Sequence, residues 1–392
     1  MRCDKIPLRI CRTKPVYVGL FLTMVKTVCA RSNFFPYTDI MDNLISAAIL
    51  FFSFFTIFTD KYNRKNLFIY IAIGFVTLYS AIVTGMMLLP VTVLIILAIR
   101  REPIHKVAWF MYFWKIRFFI AHSVLAFALV PTGLSSIGGY YQANRRYRMN
   151  FGFCFAGQFA DYVIDLMVLW TICNYEKINT KTYPRLILVA VLTYICSDSK
   201  TGFGVSCILI FMVWLTKNTM KCDGIIKKCA QLCIPFFTVF VFQTIVSFSR
   251  GKKWAYFIDS ILTTRIRLNG YLLDLYGGTW FGQAIDSYSG EYSAIWQSTG
   301  STSDCVYPWL VIEMGAIWLV LIAISFYILA RRNDRLMNCL LLIWAFGALT
   351  DTDYLYGTCS FIMLLVSLVF TKDKCILEGK RYMTYNVESH GR

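Results

Sequence analysis

Residues 144–161 read NRRYRMNFGFCFAGQFAD, so that Arg145, Arg146 and Arg148 stand directly before a glycine-studded apolar segment. The chain on both sides of this stretch is strongly hydrophobic. Short clusters of basic residues alternate with long apolar runs through all 392 residues, of which 57% are hydrophobic and only 16% are charged. Globular chains average about 45–50% apolar and about 25% charged residues. The pattern therefore predicts an integral membrane protein.

The formal net charge of +17 does not indicate a nucleic-acid partner, because the Lys and Arg residues form short tufts rather than one basic face. The 14 cysteines lie mostly within apolar runs and form no CxxC pair or Cys/His spacing typical of metal sites. We therefore expect neither a metal site nor a cofactor. The stretch VYVGLFLTMVKTVCA, residues 16–30, contains Lys26 and lacks a clear cleavage site, which favours a retained first span over a signal peptide.

Apolar windows long enough to consider as membrane spans recur along the whole chain. They predict an all-α polytopic membrane protein with about twelve transmembrane helices, forming a single domain over residues 1–392 with a long external loop at residues 250–306. The windows are 16–30, 40–58, 67–83, 85–99, 107–130, 156–173, 184–197, 201–216, 229–249, 307–330, 336–350 and 353–370.

Basic residues predict the orientation, because short cytoplasmic loops carry the excess of Lys and Arg. With both termini in the cytoplasm, 26 of the 39 basic residues fall in cytoplasmic segments and 10 fall outside. Nine of the external ones cluster, which indicates a polyanion that binds at the outer face. The alternative is that long loops translocate regardless of their charge, which would explain residues 250–306 without a function. The clustered residues are Arg145, Arg146, Arg148, Lys200, Arg250, Lys252, Lys253, Arg265 and Arg267.

Four local patterns carry a resemblance to a known family. They are RRYRMNFGF at 145–153, SDSKTGFG at 197–204, TTRIRLNGYLLDLYGGTWFGQ at 263–283 and STSDCVYPWLVIEMGAIW at 301–318. Because these patterns occur in this order and are expected on the external side, residues 40–370 resemble the O-antigen polymerase family. That family often has a His-Pro-Asn element after the Gly-Phe start, whereas this chain has CFAGQF at 154–159.

The resemblance implies a glycosyltransferase of the bacterial cytoplasmic membrane that joins oligosaccharide repeat units into a surface polysaccharide. Donor and acceptor would be undecaprenyl-pyrophosphate-linked glycans, and the partners would include membrane lipids and a chain-length regulator and flippase of the same pathway. We expect Arg265 and Arg267, with Arg145 or Arg148, to clamp the pyrophosphate, since a guanidinium can donate two hydrogen bonds to a phosphate. The alternative role for these arginines is anchoring to lipid phosphates.

Other candidates follow from chemistry around the leaving group. Asp304 is the first choice for the base that accepts the acceptor hydroxyl proton, and Asp353 is a further carboxylate for this role or for a sugar hydroxyl. Trp280 and Gln283 are expected substrate contacts. The alternative for Trp280 is that it lies at the membrane interface, where Trp and Tyr collect without binding a sugar. Lys200 either contacts the substrate or forms a local ion pair with Asp198, itself a candidate contact. Lys115 and Arg117 lie in an apolar window and either are functional or mark a span that begins later than residue 107.

Three other functions compete with a polymerase. An O-antigen ligase usually carries a histidine in the large external loop, and residues 250–306 contain none. A flippase of lipid-linked oligosaccharide would need a cavity open to either side, often built from internal repeats, and the two halves of the chain show no convincing repeat. An envelope scaffold without chemistry would tolerate loss of the external arginines.

Overall fold

The computed structural model describes residues 14–59, 64–140, 147–219, 222–262, 264–285, 305–332 and 334–371. These residues are helical apart from one short hairpin and connecting turns. The helices are α1 Pro15–Ala30, α2 Asp39–Thr59, α3 Arg64–Thr84, α4 Leu88–Ile99, α5 Ile104–Leu129, α6 Ala156–Asn174, α7 Thr182–Ser197, α8 Lys200–Asn218, α9 Asp223–Ser249, α10 Lys253–Ile261, α11 Arg265–Tyr276, α12 Val306–Trp309, α13 Ala316–Ala330, α14 Arg335–Gly347 and α15 Phe361–Leu364.

Among the described residues, six apolar helices are long enough to cross a membrane, which supports a helical membrane protein. A bilayer core of about 30 Å needs about 20 helical residues at about 1.5 Å per residue. The helices that meet this requirement match six of the predicted windows, and the others are shorter. The count of about twelve transmembrane helices is thus supported only in part. The six are Asp39–Thr59, Leu67–Thr84, Ile104–Thr132, Ala156–Lys177, Lys200–Asn218 and Asp223–Ser249.

Two predicted spans are interrupted, and the all-α expectation needs one correction. The window 307–330 is divided by a π-helical turn, Leu310–Met314, and by Gly315 with φ 106° before α13 begins. The window 353–370 is also divided: a 3₁₀ helix, Thr352–Leu355, is followed by a non-helical segment, and the chain is helical again from residue 361, in α15 and a 3₁₀ helix Leu365–Phe370. Strands β1 Gly138–Tyr140 and β2 Tyr147–Met149 form an antiparallel hairpin.

The described chain divides into two compact units. The first unit consists of Met1–Asn63, Val91–Trp214 and Gly357–Arg392. Within it, α1 packs against both α2 and α5. Lys26, buried on α1, places its Nζ 2.9 Å from Asp42 Oδ2 and 2.5 Å from Ser46 Oγ on α2. Because an isolated charge is costly away from water, this pairing explains how a lysine is accommodated inside an apolar helix.

The second unit consists of Arg64–Pro90 and Leu215–Tyr356. Helix α9 is its centre and packs against α11, α13 and α14. The fully buried Trp344 on α14 meets Phe326 edge-on at 4.9 Å between ring centroids, and Tyr307 donates its hydroxyl to Ala345 O at 2.9 Å. Aromatic rings whose polar atoms are satisfied in this way form a dry core for the unit.

Candidate functional site

Arg148 lies on strand β2 of the first unit, opposite Gly139. Its Nη2 donates to Asp198 Oδ2 at 3.2 Å. Asp198 lies between α7 and α8 with φ 54°, a left-handed conformation that Asp adopts more readily than most non-glycine residues. The Asp198 side chain is 6% exposed and that of Arg148 is 27% exposed. A buried carboxylate therefore directs a guanidinium that is still partly open to solvent.

Lys200 begins α8, two residues after Asp198. In the part of the chain that the structure describes, Asp198 pairs with Arg148. Both alternatives for Lys200, a substrate contact and a local ion pair with Asp198, stay predictions.

The connection from β2 to α6 is fixed by its backbone. Phe151 and Gly152 both have positive φ, 51° and 87°, which turns the chain sharply after the hairpin. Cys154 N donates to Arg31 O at 2.7 Å, and Asn33 N donates to Gly152 O at 2.8 Å. Burial raises the pKa of the Cys154 thiol, although the Arg31 charge partly opposes this. The thiol therefore stays neutral near pH 7 and is not an activated nucleophile.

The Gly-Phe pair in this connection has a packing role. Phe153 is fully buried and its ring centroid lies 4.5 Å from that of His122 on α5. A Cβ placed on Gly152 would lie only 2.4 Å from Ala126 Cβ and 3.1 Å from the His122 ring. Only glycine fits this approach, which anchors the strand that carries Arg148 to α5.

Lys115 and Asp165 form a buried ion pair between α5 and α6. The side chains are 1% and 7% exposed, and Lys115 Nζ lies 2.6 Å from Asp165 Oδ2. The same ammonium also donates to the carbonyls of Thr358 and Cys359, at 3.3 and 3.4 Å. A lysine has three N–H donors, and these three acceptors satisfy them.

Asp165 also caps the last apolar helix of the first unit. Its Oδ1 accepts from the backbone N–H of Phe361, the first residue of α15, at 2.8 Å. One carboxylate thus satisfies a lysine and a helix N-terminus, while the lysine satisfies carbonyls of the non-helical segment just before that helix. The pair therefore joins α5, α6 and the 357–361 segment.

Lys115 and Arg117 both lie inside a continuous helix, since α5 runs without a break from Ile104 to Leu129. A membrane span that begins later than residue 107 of this helix stays a prediction. The Arg117 guanidinium carbon lies 3.4 Å from the ring centroid of Phe113, a cation–π contact within the same helix.

In the second unit, Arg265 and Arg267 lie in the first turn of α11. Asp259 on α10, whose side chain is 2% exposed, accepts from Arg267 N at 3.0 Å through Oδ1. Its Oδ2 lies 3.6 Å from Arg267 Nη2, and the Arg267 guanidinium also faces the Phe248 ring at 5.6 Å. The Arg267 side chain is nevertheless 45% exposed. A buried carboxylate again holds an arginine whose guanidinium reaches solvent.

The helical conformation of this segment decides how the two arginines are arranged. A strand would place residues i and i+2 on one face, whereas a helix separates them by roughly 200°. Because α11 begins at Arg265, the two guanidinium groups leave the helix in different directions. The predicted long loop at 250–306 also contains two helices in its described part, α10 and α11.

Two glycines bring the segment after α11 against the interrupted helix. Gly282 and Gly315 have φ 104° and 106°, and a Cβ on Gly315 would lie 2.6 Å from Gly282 N. The Ser80 hydroxyl donates to Phe281 O at 2.6 Å and accepts from Trp318 Nε1 at 2.9 Å. This close backbone contact explains why the apolar window 307–330 does not form one straight helix.

Gln283 has a structural part in this contact. Its Nε2 lies 3.1, 3.3 and 2.8 Å from the carbonyl oxygens of Tyr276, Gly277 and Ile312. These include carbonyls at the C-terminal end of α11 that the helix leaves without partners. Trp280, three residues earlier, is 66% exposed and presents its ring outward.

Among the remaining candidates, Asp353 lies in a 3₁₀ turn of the second unit, where its N–H donates to the Asp351 carboxylate at 2.8 Å. Arg145 and Asp304 lie outside the described residues. The structure therefore pairs Arg148 with Asp198 in the first unit and Arg267 with Asp259 in the second unit.

Comparisons of this chain with protein-family models, with curated proteins and with solved structures gave no match. What the structure supports is a helical membrane protein in which partly exposed arginines are held by buried aspartates.

Sequence reasoning identified Asp165, because a carboxylate within an apolar helix needs a partner, but it missed three residues on which this geometry depends: Asp259, Ser80 and Gly315. Gly315 carried a usable signal, since a glycine inside an apolar run weakens a helix. Ser80 lies 201 and 238 residues from two of the groups it binds, and neither Ser80 nor Asp259 gave a local signal.

Substitution of Gly152 by Ala is expected to destabilise the protein. The left-handed backbone alone costs on the order of 1–3 kcal/mol for a residue with a side chain, and the close contact with Ala126 adds to this. The thermal unfolding midpoint of the detergent-purified protein measures the effect. Gly157→Ala on α6 is the matched control, because a Cβ there meets no atom within 4 Å. Equal midpoints for the two variants would contradict the packing role of Gly152.

Replacing Asp165 by Asn is expected to leave the Lys115 ammonium buried without its counter-charge. Breaking a buried pair in this way costs about 3–5 kcal/mol, so the protein should unfold at a much lower temperature. Glu176→Gln, at an exposed carboxylate after α6, is the control and should change stability by no more than about 0.5 kcal/mol. Similar stabilities for both variants would show that the pair does not hold the first unit together.

Proposed function

We propose that this protein polymerises undecaprenyl-pyrophosphate-linked oligosaccharide repeat units into a surface polysaccharide at the outer face of the bacterial cytoplasmic membrane. The order of the four sequence patterns supports the proposal. The structural observation that carries it is the repeated arrangement of Arg148 and Arg267, each paired with a buried aspartate and each partly exposed.

The reaction requires a cation close to the departing diphosphate. The bond between the sugar anomeric carbon and the pyrophosphate oxygen breaks, and its electron pair leaves with undecaprenyl pyrophosphate. The acceptor hydroxyl oxygen bonds to the same carbon, and its proton passes to a base. Negative charge therefore grows on the bridging oxygen, and a fixed cation beside that oxygen stabilises the transition state more than the ground state.

An arginine held by a carboxylate is suited to this work. The guanidinium has five N–H donors in a rigid plane, and one carboxylate can engage two of them at most. Asp198 and Asp259 limit the movement of the arginine side chains, so less conformational entropy is lost when a diphosphate binds. Arg265 and Arg145 are further candidates for the clamp, with Asp304 or Asp353 as the base.

Arg148→Ala and Arg267→Ala are expected to abolish or strongly shorten the polysaccharide ladder on a gel. Loss of one electrostatic group that stabilises the transition state lowers rates by about 10²–10³-fold. Arg→Lys variants should also lose activity, since a point charge does not replace a bidentate fork. Arg185→Ala, which removes an exposed cation in the first turn of α7 that belongs to the predicted cytoplasmic basic residues, is the control and should retain the ladder.

The location of single repeat units separates a polymerase from a flippase. The proposal expects exported but unlinked repeat units at the cell surface when Arg148 or Arg267 is replaced. Repeat units trapped inside the cell would instead indicate a flippase. Wild-type ladders from both alanine variants, with normal protein levels in the membrane, would refute the proposed clamp.

A further inference from the structure

A small cavity lies in the second unit, and its lining residues have no role in the site described above. Its volume is about 290 Å³, and its lining includes Thr216, Asp223, Lys227, Arg335 and Asn338. These residues come from the last turn of α8 and the first turns of α9 and α14. Nothing in the proposed glycosyl transfer uses them.

Two buried acceptor atoms at this cavity have no hydrogen-bond partner among the described residues. Asn338 is only 3% exposed, yet its Oδ1 accepts no hydrogen bond. Asp223 Oδ1 is likewise buried and unsatisfied, although Asp223 Oδ2 lies 2.6 Å from Arg335 Nη2. Buried polar atoms in native proteins almost always have partners, so these two indicate a ligand that donates hydrogen bonds.

The charged side chains that line the cavity are positive on balance. Arg335 and Lys227 both line it, and the one carboxylate among the described lining residues, Asp223, is paired with Arg335. Helix α9 begins at Asp223, and its N-cap residue Cys222 provides no side-chain cap, whereas α14 is capped by Asp334, which accepts from Met337 N at 3.1 Å. The N-terminal amides of α9 therefore add a positive potential that favours an anionic oxygen.

The ligand must therefore donate hydrogen bonds to the two unsatisfied acceptors and carry negative charge toward the cations, which restricts its chemistry. A metal cation is disfavoured by the neighbouring guanidinium and ammonium groups. A bare anion would place oxygen atoms against the oxygen atoms of Asn338 and Asp223. A phosphoester with free hydroxyl groups satisfies both requirements, because the phosphate faces the cations and the hydroxyls donate to the two acceptors.

The position of the cavity indicates where such a ligand is found. Helices α8 and α9 are two of the six span-length helices, and the cavity lies where one ends and the next begins. The ends of spans lie at the level of the lipid headgroups. We propose that this cavity binds the hydroxyl-bearing phosphoester of a glycerol phospholipid headgroup, or the same chemistry in a soluble polyol phosphate.

Thermal unfolding of the detergent-purified full chain tests the proposal, with phosphatidylglycerol as the probe. Added phosphatidylglycerol should raise the unfolding midpoint, whereas phosphatidylcholine, which has no free hydroxyl, should not. A second arm uses soluble glycerol 1-phosphate. A shift with the lipid alone identifies a headgroup site, and a shift with both identifies a polyol phosphate site that also accepts the lipid.

Variants decide whether the effect arises in this cavity. Asn338→Leu should remove the lipid-dependent shift, while the lipid-free protein keeps or exceeds the wild-type midpoint because an unsatisfied acceptor is gone. Lys227→Gln should raise the half-saturating lipid concentration by about tenfold or more. Lys228→Gln, an exposed neighbour outside the cavity lining, is the charge-matched control and should leave that concentration unchanged.

The proposal is overturned by any of three results. One is the absence of a shift with both phosphatidylglycerol and glycerol 1-phosphate. Another is an equal shift with phosphatidylcholine. The last is a shift that survives in both the Asn338→Leu and the Lys227→Gln variants.

Discussion

The buried pair of Lys115 and Asp165 is the interaction on which the first unit depends. A backbone group that is buried away from water needs a hydrogen-bond partner, so a helix that begins in the interior of the unit needs internal partners. Asp165 accepts from the first N–H of α15, and Lys115 donates to the carbonyls just before it. Each charge is also the counter-ion of the other. Removing either residue would leave the other charge buried without its counter-ion. It would also leave backbone groups at the start of α15 without hydrogen-bond partners.

The same arrangement recurs in the second unit with a different outcome. Asp259 accepts from an N–H in the first turn of α11 and lies beside the Arg267 guanidinium, as Asp165 joins an N–H of α15 to Lys115. In the first unit the cation is sealed in the interior, whereas Arg267 reaches solvent. In both units a buried aspartate at a helix N-terminus holds a cation in place. A cation that is itself buried has a structural role, whereas a cation that reaches solvent is available to a ligand.

The sequence predicted the helical class well because its apolar runs are long and its composition is unusually hydrophobic and poor in charge. It predicted the positions of α2, α3, α5, α6 and α8 to within a few residues. Helix α9 begins six residues before its predicted window. It failed at residues 307–330 and 353–370, where hydropathy does not register a break. Those breaks are stabilised by tertiary partners such as Ser80 and Asp165, which come from distant parts of the chain. Arg148 was identified from its charge, but its partner Asp198 lies 50 residues away and became evident only in the fold.

The carboxylates beside Arg148 and Arg267 also bear on ligand choice under the proposed function. Each cancels much of the cation's long-range field, so a singly charged lipid phosphodiester gains little by binding at these two positions. In the proposed reaction the departing diphosphate carries more negative charge, and that charge increases at one oxygen as the glycosidic bond breaks. The guanidinium then interacts most strongly with the species in which charge is concentrated. On this proposal, pairing with Asp198 and Asp259 favours a leaving group over lipid headgroups, and it orients each arginine before the substrate binds.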